Sequence, residues 1–116
     1  MTIKIFHNPR CSKSRQTLAL LEEKGIEPQI IEYLKTPLNA EILNEIAEKL
    51  SLNPTQFIRF KEGIAKELDI SPKNDKTNEQ WFDLIINHPV LLERPIVING
   101  DKAAIGRPPE DVLAIL

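Results

Sequence analysis

Short apolar runs and helically spaced apolar positions alternate along the chain, which is typical of a mixed α/β protein. The apolar runs predict strands at 2–6, 29–33, 96–98 and 102–105. The helical spacings predict helices at 12–24, 39–50 and 77–88, a last helix at 109–116, and shorter helical turns at 54–58 and 62–68. Because a single helix joins the first two strands, a right-handed parallel unit is expected at the start of the chain.

The order of these elements is strand–helix–strand, a helical insertion at about 39–88, then a hairpin and a C-terminal helix. The hairpin is predicted from the Asn99-Gly100 pair between two apolar runs, which is a strong turn signal. This is the element order of a thioredoxin-like fold. We therefore predict one α/β domain over residues 1–116 with a mixed four-stranded sheet.

The composition narrows the possible functions. A net charge of −2 gives no basic field for nucleic acid, and no apolar run approaches the ~18 residues of a membrane span. One cysteine excludes an internal disulfide, and the two histidines, His7 and His88, are too far apart in sequence to suggest a metal site. No secretory leader is recognisable, so a reducing cytoplasm is the expected location.

The single cysteine, Cys11, lies where the first strand ends and the first helix begins. Unpaired N–H groups at a helix N-terminus favour an anion, and Arg10, Lys13 and Arg15 add positive charge. Such surroundings lower a cysteine pKa to ~3.5–7.5 from about 8.5. A lone cysteine is more often a small buried hydrophobe, but the neighbours here are mostly polar or charged. Cys11 is therefore predicted to be a nucleophile.

His7, Ser14 and Arg15 are predicted to support the thiolate, although for His7 a role in ordering the loop is equally compatible with the sequence. Ser14 stands where a Cys-x-x-Cys motif has its second thiol, so a dithiol cycle within the chain is excluded. A phosphatase loop of the form Cys-x5-Arg is excluded as well, because Thr17 occupies the arginine position.

Three arginines, Arg59, Arg94 and Arg107, follow or precede predicted elements. A guanidinium is permanently charged and matches tetrahedral oxyanions with two parallel hydrogen bonds, although any one of these arginines could be a solvated surface charge. Pro95 follows Arg94, at the position where thioredoxin-like folds place a cis proline facing the active cysteine. The sequence therefore predicts an oxyanion pocket built from Cys11 and distant arginines.

The chain resembles the glutaredoxin-dependent arsenate reductase family in four segments. These are His-Asn-Pro-Arg-Cys-Ser-Lys-Ser-Arg at 7–15, the surroundings of Arg59, Leu-Glu-Arg-Pro-Ile-Val at 92–97, and Gly-Arg-Pro at 106–108. The resemblance runs essentially from end to end. The Cys-Ser-Lys-Ser-Arg segment and the end of the chain at Leu116 are closer to a shorter branch of the family than to the arsenic-resistance enzymes.

The resemblance implies that Cys11 is the nucleophile, that Arg59, Arg94 and Arg107 bind arsenate or a similar oxyanion, and that His7 favours the thiolate. It also implies glutathione as co-substrate and glutaredoxin as partner, with no bound metal, flavin or other cofactor.

Two other functions remain compatible with the sequence. One is a thiol-dependent reductase or transferase that acts on another substrate. The other is a redox-sensing transcription regulator that binds RNA polymerase, although relatives of that kind usually carry Cys-x-x-Cys.

Overall fold

The computed structural model describes residues 2–116, which form two compact units. The first unit contains the chain up to Thr36 together with Arg94–Leu116, and the second contains Pro37–Glu93. The second unit covers the segment that the sequence predicts as a helical insertion, with wider bounds at both ends. No helix in the described part of the chain is long and apolar enough to cross a membrane.

The first unit is built on a four-stranded mixed sheet. Its elements are strand β1 (Ile3–Phe6), helix α1 (Ser12–Glu23), strands β2 (Gln29–Ile31), β3 (Ile96–Asn99) and β4 (Lys102–Ile105), and a 3₁₀ helix at Pro109–Ile115. The strand order is β2-β1-β3-β4, with β1 parallel to β2 and antiparallel to β3, and β3 antiparallel to β4. The predicted thioredoxin-like fold is confirmed.

A small apolar core joins the sheet to its helices. Ile5 pairs with Val97 in the β1–β3 register, and both are fully buried with Leu21 of α1 and Val112 of the last helix. The second strand is shorter than the predicted 29–33, because the chain turns at Glu32, whose carbonyl accepts from the Lys35 and Thr36 N–H groups at 2.9 Å. Its residue Ile30 is 49% exposed, so the apolar run there does not mark a fully buried strand.

The β3–β4 hairpin forms as predicted, but its turn lies one residue later than the Asn99-Gly100 pair suggests. Asn99 still pairs with Lys102, so the two-residue turn is Gly100-Asp101. Gly100 has a φ of 63°, a conformation that glycine adopts without steric cost. The Asn99 side chain instead donates from Nδ2 to the Ile115 carbonyl at 2.6 Å, so it fixes the C-terminal 3₁₀ helix.

The second unit is helical. It contains α2 (Ala40–Leu50), a 3₁₀ helix at Pro54–Phe57, α3 (Gly63–Glu67), α4 (Asn78–Asn87) and a 3₁₀ helix at Pro89–Leu91. Side chains cap two of these helices: Asn39 accepts from the Ile42 N–H at 2.8 Å, and Thr77 forms a capping box with Gln80. Trp81 of α4 is buried.

Gly106 is closely packed against Thr17 and Pro95. A Cβ built at this position would lie 2.5 Å from Thr17 Oγ1 and 2.8 Å from Pro95 Cγ. The Gly106 N–H donates to the Pro95 carbonyl at 2.9 Å, and Thr17 Oγ1 donates to the Lys13 carbonyl at 2.8 Å. Neither neighbour can withdraw freely, so the close approach of this backbone to α1 requires glycine.

We expect Gly106→Ala to lower the free energy of unfolding by about 1–3 kcal/mol, the usual range for overpacking a close-packed site. Gly63→Ala is the matched control, because a Cβ there meets nothing within 4 Å and Gly63 begins a helix. That variant should be neutral or slightly stabilising. Urea denaturation of the two variants and the parent measures both effects. Equal stabilities for the two variants would contradict this account of Gly106.

Candidate active site

Cys11 occupies the cap position of α1, directly after the loop that leaves β1. Its backbone is extended (φ −91°, ψ 124°), its N–H donates to the Asn8 carbonyl at 3.0 Å, and its carbonyl accepts from the Arg15 N–H at 3.0 Å. The side chain is half-buried. This local geometry places the sulfur beside the unpaired N–H groups of the first helical turn.

Opposing influences set the pKa of the Cys11 thiol. Burial raises the pKa and is the largest single influence. The backbone N–H of Ser14, the Arg94 guanidinium, the backbone N–H of Lys13 and the positive charge of Arg107, in decreasing order, lower it. The sulfur makes no close cap hydrogen bond, but the N–H groups still stabilise its charged form. Together the two N–H groups and the two arginines hold the pKa of Cys11 below its ordinary value, which favours the thiolate.

Arg107 contacts the thiol directly. Its Nη2 donates to Cys11 Sγ at 3.3 Å, and its Nε donates to the Arg94 carbonyl at 2.7 Å. Arg94 and Arg107 each precede a proline, and both the Arg94–Pro95 and the Arg107–Pro108 peptide bonds are cis. The geometry expected at Pro95 is therefore present, and a second cis bond occurs that the sequence did not indicate.

His7 is bound to the loop and not to the thiol. Its Nδ1 lies 2.7 Å from the Ser14 hydroxyl, which also accepts from the Asn8 N–H at 3.0 Å. Burial is the main influence on the pKa of His7 and lowers it. The negative charge of Glu32 raises this pKa, and the positive charge of Arg15 lowers it. With its pKa lowered, the imidazole is neutral near pH 7, and the Ser14 hydroxyl can donate to Nδ1. Of the two roles open from the sequence, this geometry favours ordering of the loop.

The basic residues near Cys11 in sequence make contacts within the loop and the first helical turn. Lys13 lowers the thiol pKa through its backbone N–H. Arg15 is exposed and donates from Nη1 to the Pro9 carbonyl at 3.0 Å, so it braces the loop. The Arg10 N–H donates to Asn8 Oδ1 at 3.0 Å, a backbone contact that also shapes the loop.

Arg59 belongs to the second unit, where two carboxylates hold its guanidinium. Nε donates to Glu62 at 2.9 Å and Nη1 donates to Glu93 at 3.2 Å, while its backbone N–H donates to the Leu91 carbonyl at 2.7 Å. Each of the three side chains is 24% exposed. The structure thus groups Cys11 with Arg94 and Arg107 and places Arg59 among acidic partners.

Sequence reasoning missed the roles of Asn8, Glu62 and Glu93. Asn8 is buried, and its carbonyl and side chain shape the turn into Cys11, a common use of asparagine in loops. Glu62 lies three residues after Arg59, a spacing that could have suggested the pair. Nothing in the sequence indicates that Glu93 meets Arg59. Within residues 2–116, no cluster of three or more His, Cys, Asp or Glu side chains could hold a metal ion.

Comparisons with known proteins show which family this chain belongs to. The model of the ArsC family matches residues 6–115. The chain is 50% identical to the arsenate reductase of Haemophilus influenzae, over the full length of both proteins. It is 45% identical to the Escherichia coli protein named uncharacterized protein YfgD, over 98% of this chain and 96% of that protein.

A solved structure matches the chain in the same way, along nearly its whole length. The arsenate reductase from Vibrio cholerae superimposes with a TM-score of 0.94 at 46% identity, over 100% of this chain and 98% of that chain. The family match covers nearly all of the chain, and the two relatives match it along almost their whole length. This chain therefore belongs to the ArsC family.

Proposed function

We propose that the protein is a cytoplasmic arsenate reductase that uses glutathione as co-substrate and glutaredoxin as partner. The observation that carries the proposal is a cysteine with a lowered pKa at a helix N-terminus, 3.3 Å from an arginine and influenced by a second. That combination suits attack by sulfur on a tetrahedral oxyanion. Membership of the ArsC family and the name of the Haemophilus influenzae relative support arsenate as the oxyanion.

In the first step, arsenate binds next to Arg94 and Arg107. A doubly charged oxyanion and a thiolate repel each other, so guanidinium groups must offset both charges before the sulfur can approach. The Cys11 sulfur then forms a bond to arsenic, and one arsenate oxygen leaves as water after protonation. The product is a covalent thiol–arsenate adduct.

In the second step, the sulfur of glutathione bonds to the Cys11 sulfur and the sulfur–arsenic bond breaks. The electron pair of that bond stays on arsenic, which leaves as trivalent arsenite. The two thiols have supplied two electrons and now form a mixed disulfide. Ser14 stands where a second thiol would be needed, so a glutaredoxin thiolate must attack the glutathione sulfur to release Cys11.

The reaction itself is the first test. Purified protein with arsenate, glutathione and glutaredoxin should produce arsenite, and Cys11→Ser should abolish the product. Arg107→Ala should lower kcat by about 100-fold or more, since it removes a donor from the developing charge. Arg107→Lys should recover only part of the rate, because an ammonium cannot make the two-pronged contact. If the parent protein forms no arsenite under these conditions, arsenate is not its substrate.

The lowered pKa of Cys11 predicts fast alkylation by iodoacetamide, with a midpoint in the rate–pH profile below about 8.5. Arg107→Ala should move this midpoint upward, because the variant loses both the contact with Sγ and a positive charge. Arg15→Ala is the charge-matched control, since that guanidinium binds the Pro9 carbonyl. An equal upward shift in both variants would show that net charge, and not the contact, sets the thiol pKa.

The single thiol predicts where turnover stops without glutaredoxin. Protein treated with arsenate and excess glutathione should accumulate one glutathione adduct on Cys11, visible by intact-protein mass spectrometry. Adding reduced glutaredoxin should clear the adduct and restore arsenite production, whereas more glutathione should clear it only slowly. Rapid turnover with neither adduct nor glutaredoxin would overturn the assigned electron route.

A further inference from the structure

A cavity of about 250 Å³ lies beside the loop that leads into Cys11. Residues 7–10 line one side, and Glu32, Leu34 and Lys35 line the other. We refer to this space as the loop cavity. None of the steps above uses it, although one of its walls is the segment that ends at the nucleophile.

The topology places the loop cavity at the carboxyl ends of two parallel strands, where ligands commonly bind. Strands β1 and β2 are parallel neighbours, so the segments after Phe6 and Ile31 leave the same edge. The His7 N–H donates to the Ile31 carbonyl at 2.8 Å, which joins the two walls. In open α/β sheets, ligands bind in the crevice outside the carboxyl ends of such strands.

The lining residues indicate an anionic ligand with a partly apolar body. Arg10 and Lys35 are cationic and Glu32 is the only acidic lining residue, so the walls carry a net positive charge. The Lys35–Glu32 ion pair is long, at 3.6 Å, and the Lys35 side chain is 78% exposed. Exposed pairs of this kind contribute little, so Lys35 can turn to a ligand carboxylate. Leu34 is 46% exposed and offers an apolar contact.

Size and position narrow the ligand further. The cavity is smaller than the 300–1,000 Å³ typical of sites for whole drug-sized ligands, so it suits one arm of a longer molecule. Arg10 precedes Cys11 directly, and consecutive Cα atoms are about 3.8 Å apart. Cys11 thus directly follows the last residue of the cavity wall, and a molecule as long as an extended tripeptide spans about 10 Å, more than this separation.

We propose that the loop cavity binds a carboxylate-bearing arm of glutathione while its sulfur exchanges with Cys11. Lys35 and Arg10 pair with the carboxylate, and Leu34 contacts the peptide body. The proposal rests on the use of glutathione in the proposed function, but it does not depend on arsenate. It explains how a chain with one thiol can select its external thiol.

Exchange with oxidised glutathione tests the cavity without arsenic. The Cys11 thiolate attacks one sulfur of the disulfide, the sulfur–sulfur bond breaks, and one glutathione leaves as a thiolate. Cys11 remains in the mixed disulfide, so oxidised glutathione supplies the whole oxidising equivalent. Hydroxyethyl disulfide undergoes the same exchange but carries neither carboxylate nor peptide. The ratio of the two second-order rate constants, glutathione over hydroxyethyl, therefore reports recognition apart from thiol reactivity.

Lys35→Glu should lower this ratio roughly tenfold, because it replaces a charge-assisted contact with repulsion. Lys24→Glu, an equal charge change at the exposed far end of α1, should leave the ratio unchanged. Leu34→Trp, which adds bulk to the cavity wall, should also lower it. An unchanged ratio in Lys35→Glu, or an equal fall in Lys24→Glu, would overturn the proposal.

The two proposals fail in different ways. Absence of arsenite with an intact Lys35-dependent ratio would remove the arsenate assignment and leave the glutathione site standing. Arsenite production with a ratio that does not change in Lys35→Glu would remove the glutathione site and leave the arsenate assignment standing.

Discussion

The contact between the Arg107 guanidinium and the Cys11 sulfur depends on most of the first unit. Cys11 follows β1 and Arg107 follows β4, and the two strands are connected through β3, which pairs with both. The orientation of Arg107 depends in turn on the Arg94 carbonyl, 2.7 Å from its Nε. The register of three strands therefore determines whether a positive charge lies 3.3 Å from the thiol.

The same contact explains why a half-buried sulfur is useful in this fold. Burial alone raises the pKa of Cys11 and would leave a weak nucleophile. The helix N-terminus and the arginines offset that penalty, and they keep the sulfur partly shielded from water. In such a setting electrostatic interactions are stronger than in bulk solvent. The groups that stabilise the thiolate are thus already oriented toward the sulfur, as the proposed attack on an oxyanion requires.

Much of the fold could be read from the sequence because its signals are local. Apolar periodicity located the main helices and strands, and Asn39 and Thr77 are residue types that commonly cap helices, as both do here. Turns limited the accuracy at the element ends: β2 ends early because the chain turns at Glu32. The hairpin turn moved to Gly100-Asp101 because Asn99 remains in the ladder and binds the last helix.

The candidate site was less predictable because its decisive contacts are distant in sequence. Cys11 and the helix start could be identified locally, but 96 positions separate Cys11 from Arg107. The basic residues close in sequence make local contacts: Arg15 donates to the Pro9 carbonyl, and the backbone N–H of Lys13 lowers the thiol pKa. Sequence proximity identifies which charges are close along the chain, whereas tertiary structure decides which of them reach the sulfur.

Ser14 shows what this site requires from outside the chain. It stands three residues after Cys11, where a dithiol protein carries its second cysteine, yet it is fully buried and bonded to His7 and Asn8. The position that could resolve a disulfide is therefore used to hold the loop in shape. On the proposed thiol route, a reductant must therefore bring its own thiol to Cys11. In that proposal the loop cavity selects the thiol, and Ser14 and Asn8 hold one of its walls in shape.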